Sequence, residues 1–94
     1  MNKLNYKLGI LYRDDKEYYM TILENEMLYR LKTNELITYE TLYNGIYKTD
    51  VKTLKKRYRR VLQMRASRIR KKTGLKISSK NDIGMKLEDK ICVY

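Results

Sequence analysis

The segment VKTLKKRYRRVLQMRASRIRKKTG, residues 51–74, decides the fold of this 94-residue chain. At 100° per residue its apolar side chains fall on one narrow stripe, which is typical of a helix that packs one face on a core. The stripe comprises Val51, Tyr58, Leu62, Ala66, Ile69 and Thr73, with Leu54 and Val61 on its flank. The segment therefore predicts a long helix from Val51 to Thr73, with Asp50 as its N-cap and Gly74 as a left-handed C-terminal residue.

The opposite face of this helix is polar and strongly basic. It comprises Lys56, Arg57, Arg60, Met64, Ser67 and Lys71, flanked by Gln63 and Arg68. In the major groove of DNA, Arg60 or Arg68 suits guanine, and Gln63 suits adenine. Met64 suits a thymine methyl group, whereas Ser67 and Lys71 suit phosphates. The alternative is a helix face that is merely solvated, and for Arg65 and Lys72, beside the core stripe, we expect packed stems with their charged ends in solvent.

Positive charge is concentrated in the second half of the chain. The formal net charge is +11; residues 1–50 hold seven Lys or Arg against eight Asp or Glu, and residues 51–94 hold fifteen against three. Eleven basic residues and no acidic residue lie between Lys52 and Lys72. Such a density repels itself unless a polyanion neutralises it, so nucleic acid is the leading partner and an anionic membrane surface the second.

Several classes of function have no support in the composition. The chain has one cysteine, Cys92, and no histidine, which excludes an internal disulfide and leaves no basis for a metal site. There is no Gly-rich phosphate loop and no nucleophile pattern, and nothing near Cys92 predicts a reactive thiol. We therefore expect no enzyme activity and no cofactor. The single cysteine fits a reducing, cytoplasmic setting. No apolar run approaches the roughly 20 residues of a membrane helix, and with nucleic acid as the preferred polyanion we expect no membrane partner.

The region before the basic segment predicts one hairpin, within residues 1–20, and two short helices. Residues 4–12 alternate apolar and polar side chains as one strand, a polar turn follows at Asp14 and Asp15, and residues 17–20 form the returning strand.

The two short helices have clear start signals. Thr21 and Glu24 form a capping box for a helix from Ile22 to about Lys32, which Asn34 can close. Thr38 is the N-cap of a helix from Tyr39 to about Tyr47. Together with the long helix they give three helices within residues 21–74 of a single domain, 1–94.

The region after Gly74 predicts a second hairpin, residues 75–87. Two short alternating strands, at 75–78 and 83–87, enclose a polar tip. Lys80 and Asn81 in this tip suit the minor groove or its flanking phosphates, although an ordinary turn explains the same residues. The tail, 88–94, has little pattern, but Ile91 and Val93 are able to extend a strand.

The order of hairpin, two helices, long basic helix and hairpin is that of a winged helix, and three short segments resemble one family. The segments SRIRKK (67–72), ISS (77–79) and IGMKL (83–87) resemble the C-terminal effector domain of OmpR/PhoB-type response regulators. There a similar basic segment ends the recognition helix and an Ile-x-Thr and Gly-Tyr-x-Leu pattern forms the wing. Thr21-x-x-Glu24 and ITYETL (37–42) match the family's first two helix starts. The resemblance, over roughly residues 20–87, implies an α+β winged helix-turn-helix that binds double-stranded DNA.

The chain departs from the family pattern at three places. It contains no phosphoacceptor receiver domain, and Met85 replaces the usual wing tyrosine. The family's four-stranded N-terminal sheet is expected to be at most a hairpin here. Residues 52–60 are basic and read as helix where the family has a loop.

The preferred functional hypothesis is a stand-alone transcription regulator that binds a specific duplex site, as a monomer or a homodimer, with RNA polymerase as a protein partner. The first alternative is an accessory DNA-binding protein of a plasmid or phage, at a replication origin or at an origin of transfer with a relaxase complex. The others are a protein-interaction module and an RNA-binding protein, for which a major-groove helix is poorly suited.

Overall fold

The computed structural model describes all residues from Met1 to Tyr94 and consists of two small β-sheets packed on three helices. In chain order the elements are β1 (Asn2–Asn5), β2 (Ile10–Arg13), β3 (Lys16–Tyr19), α1 (Ile22–Leu31), β4 (Ile37–Thr38), α2 (Tyr39–Tyr47), α3 (Lys56–Thr73), β5 (Ile77–Lys80), β6 (Gly84–Leu87) and β7 (Ile91–Val93). The α+β winged helix-turn-helix is confirmed: α2 and α3 form the helix-turn-helix, and β5 with β6 forms the wing. None of the helices is long and apolar enough to cross a membrane.

The N-terminal region is a four-stranded sheet in the order β3-β2-β1-β7. The hairpin of β2 and β3 is present, and its turn residues Asp14 and Asp15 both have positive φ, as tight hairpin turns require. The prediction of one strand over residues 4–12 is wrong, because a turn over residues 6–9, with Gly9 at φ +70°, divides it into β1 and β2. The turn also shifts the alternation, so that Leu11 is buried and Leu8 is 65% exposed.

The expectation of at most a hairpin is likewise wrong, because the C-terminal residues complete the sheet. β7 pairs in parallel with β1, and Asn2 of β1 donates a side-chain hydrogen bond to the backbone carbonyl of Lys90 at 3.0 Å. Ile91 and Val93, which the pattern marked as able to extend a strand, both lie in β7. The two chain ends therefore stabilise each other.

The starts of the first two helices follow the predicted capping signals. At α1 the Thr21 hydroxyl accepts from the backbone N–H of Glu24, and the Glu24 carboxylate accepts from the N–H of Thr21, which completes the capping box. At α2 the Thr38 hydroxyl accepts from the N–H of Thr41. Both bonds satisfy donors that a helix start leaves without partners.

α3 begins five residues later than predicted, at Lys56, and Asp50 is not its cap. The preceding segment is tied instead to side chains of α2. The amide of Asn44 accepts from the N–H of Val51 and donates to its carbonyl, both at 2.9 Å, and the Glu40 carboxylate accepts from the N–H of Leu54 at 3.0 Å. These bonds hold residues 51–54 out of helical geometry, so the segment is a loop, as in the family it resembles.

The wing is attached to the start of α2. β6 pairs with β5 and also with the two residues of β4, which run directly into α2. At Gly84 the strands approach so closely that an added Cβ would lie 2.0 Å from the Ile37 carbonyl oxygen. The turn of the wing is formed by residues 81–83, one or two positions later than expected, and Lys80 is the last residue of β5.

The core lies between the helices and one face of each sheet. Its largest fully buried side chains include Leu4 and Leu11 of the N-terminal sheet, Leu28 of α1, and Leu62 and Ile69 of α3. α3 thus buries Leu62, Ala66, Ile69 and Thr73 of the predicted stripe. Tyr58 is half-buried, Val51 precedes the helix, and Val61 on the flank remains 37% exposed. The polar face of α3 is thereby directed away from the core.

Candidate nucleic-acid interface

The outward face of α3 carries the residues that the helical period assigned to it. Lys56, Arg57, Arg60, Arg68 and Lys71 are exposed. Met64 is 54% exposed, so its side chain is accessible to a partner. Gln63 and Ser67 are half-buried at the edges of the face. We call this set of eight residues the reading face.

Most cations of the reading face have no partner within the protein. None of the seven ion pairs in the structure includes a residue of this face. Lys56, Arg60, Arg68 and Lys71 also make no side-chain hydrogen bond. Arg57 stacks over the ring of Tyr58 at 4.8 Å and donates to its hydroxyl at 3.0 Å. The charges are therefore free to meet an external anion.

The N-terminal end of α3 carries positive side chains, whereas negative side chains stabilise this end of a helix. Its N-cap, Lys55, makes no side-chain capping bond, and no acidic residue lies in the first turn. Lys56 and Arg57 instead add positive charge at the positive end of the helix dipole, which is unfavourable in isolation. A phosphate at this end would remove the repulsion and accept from the free backbone N–H groups.

The wing tip is joined to the reading face through one buried hydroxyl group. Tyr39, at the first position of α2, has no exposed surface. Its hydroxyl accepts from the Gln63 side-chain amide at 2.9 Å and donates to the Asn81 carbonyl at 3.2 Å. Asn81 has a φ of +42°, a conformation that asparagine tolerates better than most residues. This relay holds Lys80 and Asn81, which are exposed, at a defined position beside α3.

Three other basic residues of α3 are occupied by the scaffold. Arg70 donates to the Ile77 carbonyl at 2.8 Å and so connects α3 to the wing. Arg59 lies 3.9 Å from the Asp82 carboxylate, and its Nε is buried without a partner. Lys72 donates to the Glu24 carboxylate at 2.6 Å and to the Tyr19 carbonyl at 3.1 Å. The expectation of a solvated Lys72 ammonium group is therefore wrong, because a buried carboxylate lies beside it.

The environment of Glu24 determines its protonation. Burial by itself raises the pKa of this carboxyl group, whose side chain is only 4% exposed. The hydrogen bond from Lys72 and the backbone N–H of Thr21 outweigh burial and lower the pKa below its ordinary value. Glu24 is therefore a carboxylate at neutral pH, and it joins α1 to α3.

Sequence reasoning missed Tyr39 and Glu24 as positioning residues. Tyr39 occupies an apolar position of α2, so the sequence predicts only that its ring is buried in the core. The one indication of a further role was that a buried tyrosine hydroxyl group needs a hydrogen-bond partner. Because the capping box with Thr21 already accounted for a glutamate at position 24, nothing in the sequence indicated a second role for Glu24. Its second partner, Lys72, lies 48 residues away, a distance over which no local pattern extends.

Comparison with known proteins agrees with this architecture. The chain resembles the solved C-terminal domain of the nisin resistance regulator NsrR, a lantibiotic response regulator, with a TM-score of 0.70 and 23% sequence identity. The similarity covers 92% of this chain and 89% of that domain. No protein-family model matches the sequence, and no curated protein matches it. The comparison thus shows a shared fold at low sequence identity.

Proposed function

We propose that this protein is a transcription regulator that binds a specific site on double-stranded DNA through α3 and the wing. The observation that carries the proposal is the row of unpartnered cations on the reading face, beginning at a helix end where cations are unfavourable. A polyanion supplies the missing charges, and a helix of 18 residues flanked by a wing suits a duplex groove. The protein with the similar fold is itself a response regulator.

In the proposed complex α3 lies in the major groove. Arg60 or Arg68 forms a bidentate bond to guanine, and Met64 contacts a thymine methyl group. Gln63 keeps its bond to Tyr39 and offers its oxygen and second amide hydrogen to adenine. Lys56, Arg57, Ser67 and Lys71 bind phosphates, while Lys80 and Asn81 of the wing reach the minor groove or its edge. A single module of this kind buries a modest interface, so a homodimer on repeated half-sites is part of the proposal.

The test is binding to a duplex selected by the protein from a randomised pool, measured at several salt concentrations. We expect affinity to fall steeply with salt, because each neutralised phosphate releases counterions. Arg60→Ala or Arg68→Ala should cost about 1–3 kcal/mol and relax specificity at one base position. Lys90→Ala, at an exposed residue just before β7 and outside both α3 and the wing, is the matched control and should bind normally. Absent or salt-independent binding contradicts the proposal and leaves the protein-interaction module.

The same surface would serve an accessory DNA-binding protein of a plasmid or phage. The bias towards Lys, Asn, Ile and Tyr indicates an AT-rich genome and does not decide between the two roles. Footprinting across the neighbourhood of the gene separates the two roles. Protection of a promoter supports a regulator that works with RNA polymerase, and protection of a replication or transfer origin supports a partner of a replication or relaxase complex. Both roles are non-enzymatic.

A further inference from the structure

A polar cleft of about 510 Å³ lies between the start of α1 and the second half of α3. It is lined by Thr21, Glu24, Arg65, Arg68, Lys71 and Lys72, so that four cations surround a single carboxylate. Arg68 and Lys71 belong to the reading face, whereas Arg65 and Lys72 lie on the flank of α3 that is turned towards α1. We call this space the basic cleft.

The one carboxylate of the basic cleft does not neutralise its cations. Glu24 is bound 2.6 Å from the ammonium group of Lys72, and it also accepts from the N–H of Thr21. Both donors bind the same oxygen, Oε1, and the single negative charge of Glu24 offsets only one of the four positive charges. Arg65, Arg68 and Lys71 make neither an ion pair nor a hydrogen bond to the protein. Three positive charges therefore converge without compensation.

Two further groups of donors without acceptors belong to residues that line the cleft or adjoin its lining. The Nε atom of Arg65 is shielded from solvent and has no hydrogen-bond partner, and a buried donor left in this state is costly. At the start of α1, which borders the cleft through its N-cap Thr21, the backbone N–H groups of Ile22 and Leu23 donate to no protein acceptor. The positive end of the α1 dipole adds to the field of the three cations.

We propose that the basic cleft is a phosphate-binding site, with Arg65 as its main ligand and Arg68, Lys71 and the N-terminal end of α1 as supporting donors. A planar guanidinium group matches two phosphate oxygens, and backbone N–H groups at a helix start suit a third. The phosphate comes either from the DNA backbone that flanks the major groove beside α3 or from a free phosphate. The first source rests on the proposed function; the second does not.

The site is tested first without DNA, by titrating the whole chain with inorganic phosphate and following NMR signals. We expect saturable shifts at the N–H groups of Ile22 and Leu23 and at the Arg65 Nε–H. They should be absent with chloride at equal ionic strength. Arg65→Gln should abolish the saturation, and Lys90→Gln should leave it unchanged. Lys71→Gln, at an exposed residue without partners, should weaken phosphate binding severalfold and keeps the test valid if Arg65→Gln does not fold.

The second arm identifies the source of the phosphate with the selected duplex. If the phosphate belongs to DNA, Arg65→Gln lowers the slope of log affinity against log salt by about 0.9, equally for all sequences, and Lys90→Gln does not. Saturable phosphate binding with an unchanged DNA slope supports the free-phosphate source. Duplex binding by the wild type without any effect of phosphate or of Arg65→Gln overturns the inference while leaving the proposed function intact. Failure to bind duplex together with saturable phosphate binding rejects the proposed function and retains the site.

Discussion

Replacing Tyr39 with Phe removes one oxygen atom from a fully buried side chain and leaves its ring in place. The lost hydroxyl group makes two hydrogen bonds, at 2.9 Å to Gln63 and 3.2 Å to Asn81. A hydrogen bond contributes about 0.5–1.5 kcal/mol to stability, and more is lost when its partner stays buried and unpaired. Asn81 is exposed and Gln63 half-buried, so water can replace part of the loss. We therefore expect a decrease of about 1–2 kcal/mol in the free energy of unfolding.

The measurement is urea unfolding followed by circular dichroism, with Tyr43→Phe as control because the Tyr43 hydroxyl makes no hydrogen bond in the protein. The midpoint should fall for Tyr39→Phe alone, at an unchanged dependence on urea, and Tm should fall by about 4–8 °C per kcal/mol. The side-chain amide signals of Gln63 should also shift. Equal midpoints for the two variants would refute the argument that Tyr39 joins the wing to α3.

Two further substitutions test the scaffold of the interface. Glu24→Gln keeps the capping pattern but removes the carboxylate from Lys72, so we expect it to cost about 1–2 kcal/mol at neutral pH. The pKa of Glu24 in the folded protein lies below its ordinary 4.5, so the wild type should lose its extra stability over Glu24→Gln as the pH falls below 4.5. The free energies of unfolding of the two proteins should then become equal. A difference that stays constant at low pH contradicts an ionised Glu24 bound to Lys72. Gly84→Ala would place a Cβ 2.0 Å from the Ile37 carbonyl oxygen, so we expect a loss of at least about 2 kcal/mol and loosening of the wing in amide hydrogen exchange. Ser79→Ala, at an exposed residue of β5 whose side chain makes no hydrogen bond, is the control and should be close to neutral.

Features that depend on neighbours a few residues away follow from the local sequence. The caps at Thr21 and Thr38 and the end of α3 at Gly74 were predicted correctly, because capping bonds join residues three or four positions apart. The reading face followed from the period of an α-helix, which any amphipathic segment displays. The wing followed from two short strands around a polar turn, and its residues resembled one known family closely enough to indicate the fold.

Long-range contacts in the folded chain determine which basic side chains have an acceptor within the protein, and where α3 begins. The helical period leaves Arg59, Arg70 and Lys72 outside the reading face, but only folding placed an acceptor beside each of them. Because Asn44 and Glu40 bind residues 51–54, α3 begins at Lys56 and not at Val51. The pairing of β1 with β7 joined the two ends of the chain. These outcomes depend on contacts between distant residues, which no local pattern specifies, and they divide the basic segment into scaffold, reading face and basic cleft.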